Sequence, residues 1–488
     1  MIVKKEICEI EGFFSDESGY KGSCDAVYFP ENEEEIIDLI IYCNKEKIKI
    51  TIAGAGTGLT SGRVPEGGVV ISLEKLNKIL ELNKNEKYLI VQPAVFLGEL
   101  QKIVEAEKLF YPPDPTERNC FIGATVAANS SGARTFKYGP TRSYVEGLRI
   151  ILPNGDILSL NRGQYIANNY EIVFNSESGE KYNLKIPEYK MPDTKNSAGY
   201  FCKRNMDLID LFIGSEGTLG VITEIKLRLL DLPKSILSCV VFFITEENAL
   251  NFIEEARVHS QHNDSLINAR GLEYFDKYTL DFLLTDYPNI PKNSFGAVWF
   301  EQEINDREED IINAWTELIS KHNGIENESW FAVDKNEQEK FKEFRHRIAV
   351  KVNEFIAHKG LKKVGTDVAV PHQVFREYYY YAKRIIEDAG LKYVVYGHLG
   401  NSHMHLNMLP ENQEEFIVAK KLYYEICIEA IRLKGTFSAE HGVGKLKRDY
   451  LIKLYGEEVI KQMAKLKLSL DPNKILNVGN IFEPRYLS

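Results

Sequence analysis

Residues 53–68 read AGAGTGLTSGRVPEGG, and this loop constrains the fold more than any other stretch of the chain. A strand leads into it, because Ile48, Ile50 and Ile52 alternate with Lys49 and Thr51 in the period of two that marks a half-buried strand. The loop leaves through Pro65 into a second apolar run, Val69 to Leu73. Glycines at 54, 56, 58 and 62 uncover backbone N–H groups, so that a pyrophosphate can approach closely and be held by several donors. A purely structural turn is the alternative for the same residues. The NAD-type reading is disfavoured, since G-x-G-x-x-G there opens a helix rather than a strand. A Walker loop is excluded, because no Gly-Lys-Ser/Thr follows.

A second segment, Pro112 to Gly139, reads PPDPTERNCFIGATVAANSSGARTFKYG. Gly123, Ala124, Ala127, Ala128, Ser130, Ser131, Gly132 and Ala133 leave it almost without side-chain bulk. Taken alone it reads as a tightly packed helix start. Two such segments in one domain point to backbone laid against a large flat ligand.

The chain is long enough for two or three domains, with 488 residues of which 44% are hydrophobic. Its net charge of -11 is interspersed, which argues against nucleic acid as the main partner. Met1 to Phe14 mixes Lys4 and Lys5 with Glu6, Glu9 and Glu11 and does not read as a signal peptide. The longest apolar stretch, Ile236 to Ile244, is too short for a transmembrane segment and reads as a buried strand. Seven cysteines without a CxxC pair fit reduced thiols in a cytoplasmic protein, with peripheral contact at a membrane left open.

The pattern is mixed α and β throughout. A helix is expected over 33–43, acidic at its start and apolar at Ile36, Ile37, Ile40 and Ile41. Leu148 to Leu152, the turn Pro153-Asn154-Gly155-Asp156 and Ile157-Leu158 read as a hairpin, and Ile225 to Leu229 as a strand. Asp231-Leu232-Pro233 breaks the pattern and is taken as a boundary between a cofactor domain, 1–232, and a substrate domain, 235–488. In the second domain helices are expected at 246–258, 306–322, 336–358 and 372–388, and strands at 239–244, 296–301, 393–397 and 405–409. A last helical stretch, 412–468, ends at Asp471-Pro472. The polar stretch 162–193 reads as an irregular surface insertion. Tyr378 to Tyr381 form an aromatic cluster that is either core or interface.

Four motifs in order, GAGTGLTSG…P.GG, PPDP…IGATVAANSSG…KYG.TR, IGSEGTLGVITE at 213–224 and DPNKILNVGNIF at 471–482, resemble one family over nearly the whole chain. The family is the vanillyl-alcohol-oxidase-type (PCMH-type) flavoproteins, in the branch of D-lactate and D-2-hydroxyglutarate dehydrogenases and glycolate oxidase. The resemblance implies an α+β fold: a two-subdomain FAD-binding domain, followed by a C-terminal α+β substrate domain with a ferredoxin-like sheet covered by helices. FAD would lie mainly against 53–62, 112–142 and 213–224, with 470–482 returning to the flavin. By this resemblance Gly54, Ala55, Gly56, Thr57 and Gly58 hold the pyrophosphate. Pro113, Asp114, Thr116, Gly123, Thr125, Asn129, Gly132 and Gly217 to Ile222 run beside the rest, and Asn477 reaches the flavin. No histidine precedes His259, which rules out a histidyl flavin link from the first domain. Cys120 leaves a cysteinyl link formally open, and noncovalent FAD is the expectation.

Four of the ten histidines fall in two short motifs, His398, His403 and His405 in GHLGNSHMHLN and His441 in SAEHGVG. A lone histidine beside a strand is usually structural. Three within eight residues and a distant Glu-His have the composition of a catalytic divalent site, two imidazoles and a carboxylate. The motifs resemble the family's H-x-G-[DN]-x-x-x-H-x-N and [GA]-E-H-G-[IV]-G. That likeness makes His398, His405 and Glu440 the metal ligands, of Zn or Mn/Fe, with His441 as general base and Asn407 as a substrate contact. Arg345, in FRHRI, would clamp the substrate carboxylate; an ordinary helix arginine is the alternative. Four positions depart from the family. Ser402-His403 replaces Gly-Asn, which makes His403 an alternative ligand or a ligand's supporter. Gly365 stands where relatives acting on dicarboxylates have Lys, and Ala349 where a threonine is usual. Both weaken the case for 2-hydroxyglutarate, although Lys362 or Lys363 would substitute.

The expectation is FAD-dependent oxidation of a small D-2-hydroxy acid, D-lactate-like, to the 2-oxo acid. Glycolate oxidase and D-2-hydroxyglutarate dehydrogenase activities are the alternatives, followed by alkyl-glycerone-phosphate-synthase-like chemistry and a non-catalytic FAD-binding subunit. Electron-transfer flavoprotein, quinone, cytochrome and oxygen all remain open as electron acceptor.

Overall fold

The computed structural model describes residues 1–304 and 307–488. Two small sheets come from the first half of the chain. One has four strands in the order Ile2–Lys4, Ala26–Phe29, Val69–Ser72, Ile50–Ala53. Its last two pairings are parallel, so the chain must cross over between them. Helix Glu33–Glu46 makes the crossover. Asn32 caps its start by accepting from the Glu35 N–H, and Ile36, Leu39, Ile40 and Cys43 turn one apolar face to the sheet.

The second sheet is antiparallel, with five strands in the order Ile79–Asn83, Tyr88–Val91, Val221–Arg228, Val145–Ile151, Ile157–Asn161. Its outer pair is the expected hairpin, turned at Gly155 with φ +86°. Helix Ile122–Ala128 meets the glycine-rich loop, where a Cβ at Gly54 would fall 3.2 Å from Ala124 Cβ.

A sheet of eight strands occupies the second half. Its path runs Trp330–Ala332, Ser235–Phe243, Gly296–Ile304, Ala269–Asp276, Tyr393–Gly397, His403–Met408, Val364–Gly365, and Val368–Ala369 also pairs with His403–Met408. Helices Glu246–Ser260, Lys335–His358, His372–Asp388 and Gln413–Arg432 accompany it. The helix expected at 306–322 begins on a residue outside those described and is seen as Glu308–Lys321. Tyr378 and Tyr379 are core, whereas Tyr380 is exposed.

Two expectations need correction. The stretch 162–193 is not irregular: Glu171–Asn175 and Lys181–Lys185 form a hairpin whose Ile172, Phe174 and Leu184 join the main core. Buried and exposed residues alternate along Glu171–Asn175, with Ile172 and Phe174 turned inward and Val173 outward, a strand pattern masked by the polarity of the whole stretch. The stretch 412–468 is not continuous helix either. Helices Gln413–Arg432, Arg448–Tyr455 and Glu457–Leu470 are separated first by a segment of turns and bends, 433–447, and then by Gly456 at φ +82°. That segment carries Glu440 and His441.

Candidate active site

Strand Ile50–Ala53 delivers the chain into the glycine-rich loop, which forms one wall of a long cleft. Among the described residues, no backbone N–H from Ala55 to Leu59 donates a hydrogen bond; such a row of open donors suits a pyrophosphate. Gly56 has φ +89°, and a Cβ there would lie 2.4 Å from Arg63 Cζ. The Arg63 guanidinium in turn donates to Gly54 O (3.0 Å), Gly12 O (2.8 Å) and Ser15 O (3.0 Å). It thereby ties the start of the chain to the loop.

Of the residues expected to hold FAD, Gly54 to Gly58, Thr116, Gly123, Thr125, Gly217, Ile222 and Asn477 line this cleft. Pro113, Asp114, Asn129 and Gly132 do not; they build its backing. Pro113 O accepts from Gln101 Nε2 (3.1 Å), Asn129 Oδ1 accepts from the Arg142 N–H (3.0 Å), and a Cβ at Gly132 would lie 2.0 Å from Asp114 O. Asp114 is buried; burial pushes its carboxyl up, but Arg134, Arg345 and Arg118 overcome this and hold it well below the usual range. Asn477 lines the cleft with both ends of its amide engaged. Its Oδ1 accepts from the Ile52 N–H (2.7 Å) and its Nδ2 donates to Glu216 O (2.7 Å). Burial moves the Cys120 thiol up to about 12, so this cleft-lining cysteine is a poor nucleophile.

His405, Glu440 and His441 lie along the same cleft. Strand His403–Met408 positions His405, whose Nδ1 donates to Thr366 O (3.1 Å), and the turn after Gly397 positions His398, whose Nδ1 faces Glu273 Oε1 at 2.5 Å. Both rings are thus held by Nδ1 and present Nε2, the usual arrangement of metal-bound histidine. The two Nε2 atoms converge on the Glu440 carboxylate: His398 lies 3.2 Å from each of its oxygens, and His405 lies 3.6 Å from Oε2. Burial opposes a charge on His398, yet Glu273 and Glu440 raise its proton affinity; the position is built for a cation. The donor set therefore fits a divalent ion.

His403 is fully buried between the other two, with ring centroids 5.0 Å from His398 and 4.6 Å from His405. Its Nε2 lies 3.2 Å from Asp367 Oδ1, and burial drives its pKa well below the ordinary value. Asp367 organises the other side. It accepts from the N–H of Glu440 (3.1 Å) and of His441 (3.0 Å) and from Lys447 Nζ (2.9 Å), and lies 3.2 Å from His441 Nδ1. Burial carries His441 down to about 4, against the pull of Asp367, so the imidazole is neutral. Asn407 is buried against Gly365, where a Cβ would fall 2.3 Å from Asn407 Oδ1. Arg345 does not line the cleft. Its guanidinium contacts His346 Nε2 (2.6 Å) and Asp114 Oδ2 (3.8 Å) and stacks 5.1 Å from the Trp299 ring.

Two family comparisons match, one in each half of the chain. Residues 24–161 match the FAD binding domain, and residues 232–481 match the C-terminal domain of FAD linked oxidases. The chain belongs to the FAD-linked oxidases. As a family member it is an oxidoreductase with a PCMH-type FAD-binding fold. It is 30% identical to D-lactate dehydrogenase of Anaerostipes hadrus, over 96% of this chain and 92% of that protein. It is 30% identical to glycolate oxidase subunit GlcD of Bacillus subtilis, over 95% and 90%. With D-2-hydroxyglutarate dehydrogenase of Xanthomonas citri the identity is 26%, over 94% and 89%. An alkyldihydroxyacetonephosphate synthase structure superposes with a TM-score of 0.69, covering 97% of this chain and 81% of that one, at 17% identity. That likeness concerns the fold alone.

Several residues of this FAD-linked oxidase carry no role in the sequence analysis. Glu273, Asp367, Lys447 and Lys195 reach the site from segments with no motif of their own, and Glu216 reaches it from within IGSEGTLGVITE. Glu216 Oε1 and Oε2 accept from the N–H groups of Val443 (2.7 Å) and Gly444 (2.8 Å). This clamps the Glu440 segment to the GSEGTLG turn. Among the described residues no helix is long and apolar enough to cross a membrane.

Proposed function

We propose that this FAD-linked oxidase oxidises a small D-2-hydroxy acid, D-lactate-like, to the 2-oxo acid. FAD is held noncovalently, and a divalent ion, Zn or Mn/Fe, sits on His398, His405 and Glu440. The observation that carries this reading is the convergence of two anchored imidazoles on one carboxylate, in the cleft and beside a neutral histidine. In this reading 1–232 is the FAD domain, its four- and five-stranded sheets being the two subdomains. Residues 235–488 are the substrate domain on a ferredoxin-like sheet, and 470–482 returns to the flavin. The seven unpaired thiols suit a reducing, cytoplasmic setting.

When bound, FAD supplies the hydride acceptor and the ion supplies the Lewis acidity that lowers the hydroxyl pKa. The chain's own part is positional. With Nδ1 turned to Asp367, His441 keeps Nε2 free to take the hydroxyl proton, and the substrate's α-hydrogen departs with its electron pair. Arg345 receives the substrate carboxylate once it gives up Asp114, and Asn407 orients the hydroxyl. Monocarboxylates are favoured over 2-hydroxyglutarate, because Asn407 fills the space a side chain at Gly365 would need.

Anaerobic flavin absorbance tests the whole reading, with D-lactate, L-lactate, glycolate, D-2-hydroxyglutarate and D-malate added in turn, with and without a chelator. Bleaching by D-lactate that is abolished by chelation is expected. Bleaching that survives the chelator removes the metal from the reading, and no bleaching by any hydroxy acid removes the substrate class.

A further inference from the structure

Lys195 takes no part in the chemistry above, yet its ammonium lies at the centre of the site. Its side chain is only 5% exposed. Nζ donates to Glu440 Oε1 and reaches Gly132 O at 3.5 Å. Ser131 Oγ donates to the same Oε1, at 3.2 Å. His405 Nε2 comes to Oε2, at 3.6 Å, while His398 Nε2 lies 3.2 Å from both oxygens. The lysine and the serine thus share Oε1, His405 approaches Oε2, and His398 lies midway between them.

The lysine is also held in place by its own backbone. The Ser197 N–H donates to Ser438 O (3.0 Å), the Gly442 N–H donates to Ser197 Oγ (3.0 Å), and Thr436 Oγ1 donates to Asn196 Oδ1 (2.7 Å). These rungs lock 195–197 to 436–442, the segment that bears Glu440. Burying an ammonium without a partner is costly, and here its charged partner is the candidate ligand itself.

We propose that Lys195 is a positioning residue that, together with Ser131, claims Oε1 of Glu440 and leaves Oε2 as the oxygen offered to the divalent ion. The inference rests on the metal reading above. A free carboxylate has two equivalent oxygens and turns between one-oxygen and two-oxygen binding. A charge-assisted hydrogen bond to one of them removes that freedom and sets the direction of the other. If the ammonium instead competed with the ion for Glu440, its removal would tighten metal binding. The two accounts therefore predict opposite signs.

The test is titration of the flavin-loaded protein with Mn2+ by calorimetry, and with Co2+ by visible absorption, for wild type, Lys195→Met and Ser131→Ala. Lys195→Met is expected to weaken Mn2+ binding about 10–100-fold and to change the Co2+ spectrum, as the carboxylate alters its mode of binding. Ser131→Ala, a milder change that keeps the lysine, is expected to weaken binding by a smaller factor in the same direction. Flavin content stays at the wild-type level in both, because Lys195 lies outside the FAD cleft and the serine loses only its hydroxyl. Lys195→Met binding Mn2+ as tightly as wild type, or more tightly, overturns the inference and leaves the metal site standing. Wild type that binds neither ion overturns the metal reading, and this inference falls with it.

Discussion

Gly58 and Gly365 are small for opposite reasons. A Cβ at Gly58 would meet only Asp16 Oδ2, at 3.7 Å, so the space before it belongs to the cleft, whereas at Gly365 the space is already filled by Asn407. Gly58→Val is therefore expected to leave the apoprotein's melting temperature unchanged while weakening FAD binding about 100-fold or more, a loss of roughly 3 kcal/mol. Flavin fluorescence quenching on titration of apoprotein checks it, and an unchanged affinity would place the pyrophosphate elsewhere. At this scale the sequence revealed the histidines, because three imidazoles in eight residues are rare enough to stand out. It did not reveal Glu273, Asp367 or Lys195. A single acidic or basic residue in a chain that is 27% charged has no local signature until a distant segment folds against it.

At the scale of elements, the decisive piece is the non-helical segment 433–447. The sequence reading ran a helix through it, since its neighbours on both sides are helix formers. The structure opens it because its backbone is committed elsewhere. The Glu440 and His441 N–H groups go to Asp367, and those of Val443 and Gly444 to Glu216. Gly444, at φ +51°, packs so closely on the glycine-rich loop that a Cβ would lie 1.9 Å from Thr60 O. Gly444→Ala is expected to cost about 2 kcal/mol or more through strain and lost contact, and to loosen FAD as the two loops part. Thermal unfolding with and without added FAD measures both effects, and a variant matching wild type in both would mean the loops are independent. The hairpin at 171–185 carries a related lesson. Polarity alone placed it on the surface, yet the strand period turns Ile172 and Phe174 to one face and puts that face into the core.

Across the whole molecule, buried charge joins the sheets. Lys467 Nζ donates to Thr218 O (2.7 Å), Leu476 O (2.8 Å) and Asp471 Oδ2 (2.8 Å), tying helix Glu457–Leu470 to the GSEGTLG turn and to the closing DPNKIL. Asp276 is a buried carboxyl without an ion-pair partner of this kind. It caps helix Lys277–Leu283 through the Thr279 N–H (2.8 Å), and burial raises its pKa from 3.8 to about 7, against hydrogen bonds from Thr279 and Val395. The folded state thus keeps this proton longer than the unfolded chain does. Stability from this group is full below about pH 3.8 and is lost as pH rises to about 7. Asp276→Asn keeps the cap and removes the charge. Its stability relative to wild type is expected to rise between pH 4 and 8, by up to about 4 kcal/mol. Urea unfolding at the two pH values checks this, and a pH-independent difference would show that Asp276 does not titrate in that range. The sequence by itself determined the family, the cofactor and the two histidine motifs, because these are local: open N–H donors in a glycine loop and imidazoles crowded within eight residues. Only the tertiary structure decided that Lys195 meets Oε1 of Glu440, that Gly365 packs against Asn407, and that Arg345 rests against Asp114. Those facts depend on the meeting of segments hundreds of residues apart, and no local pattern records which buried charge finds which partner.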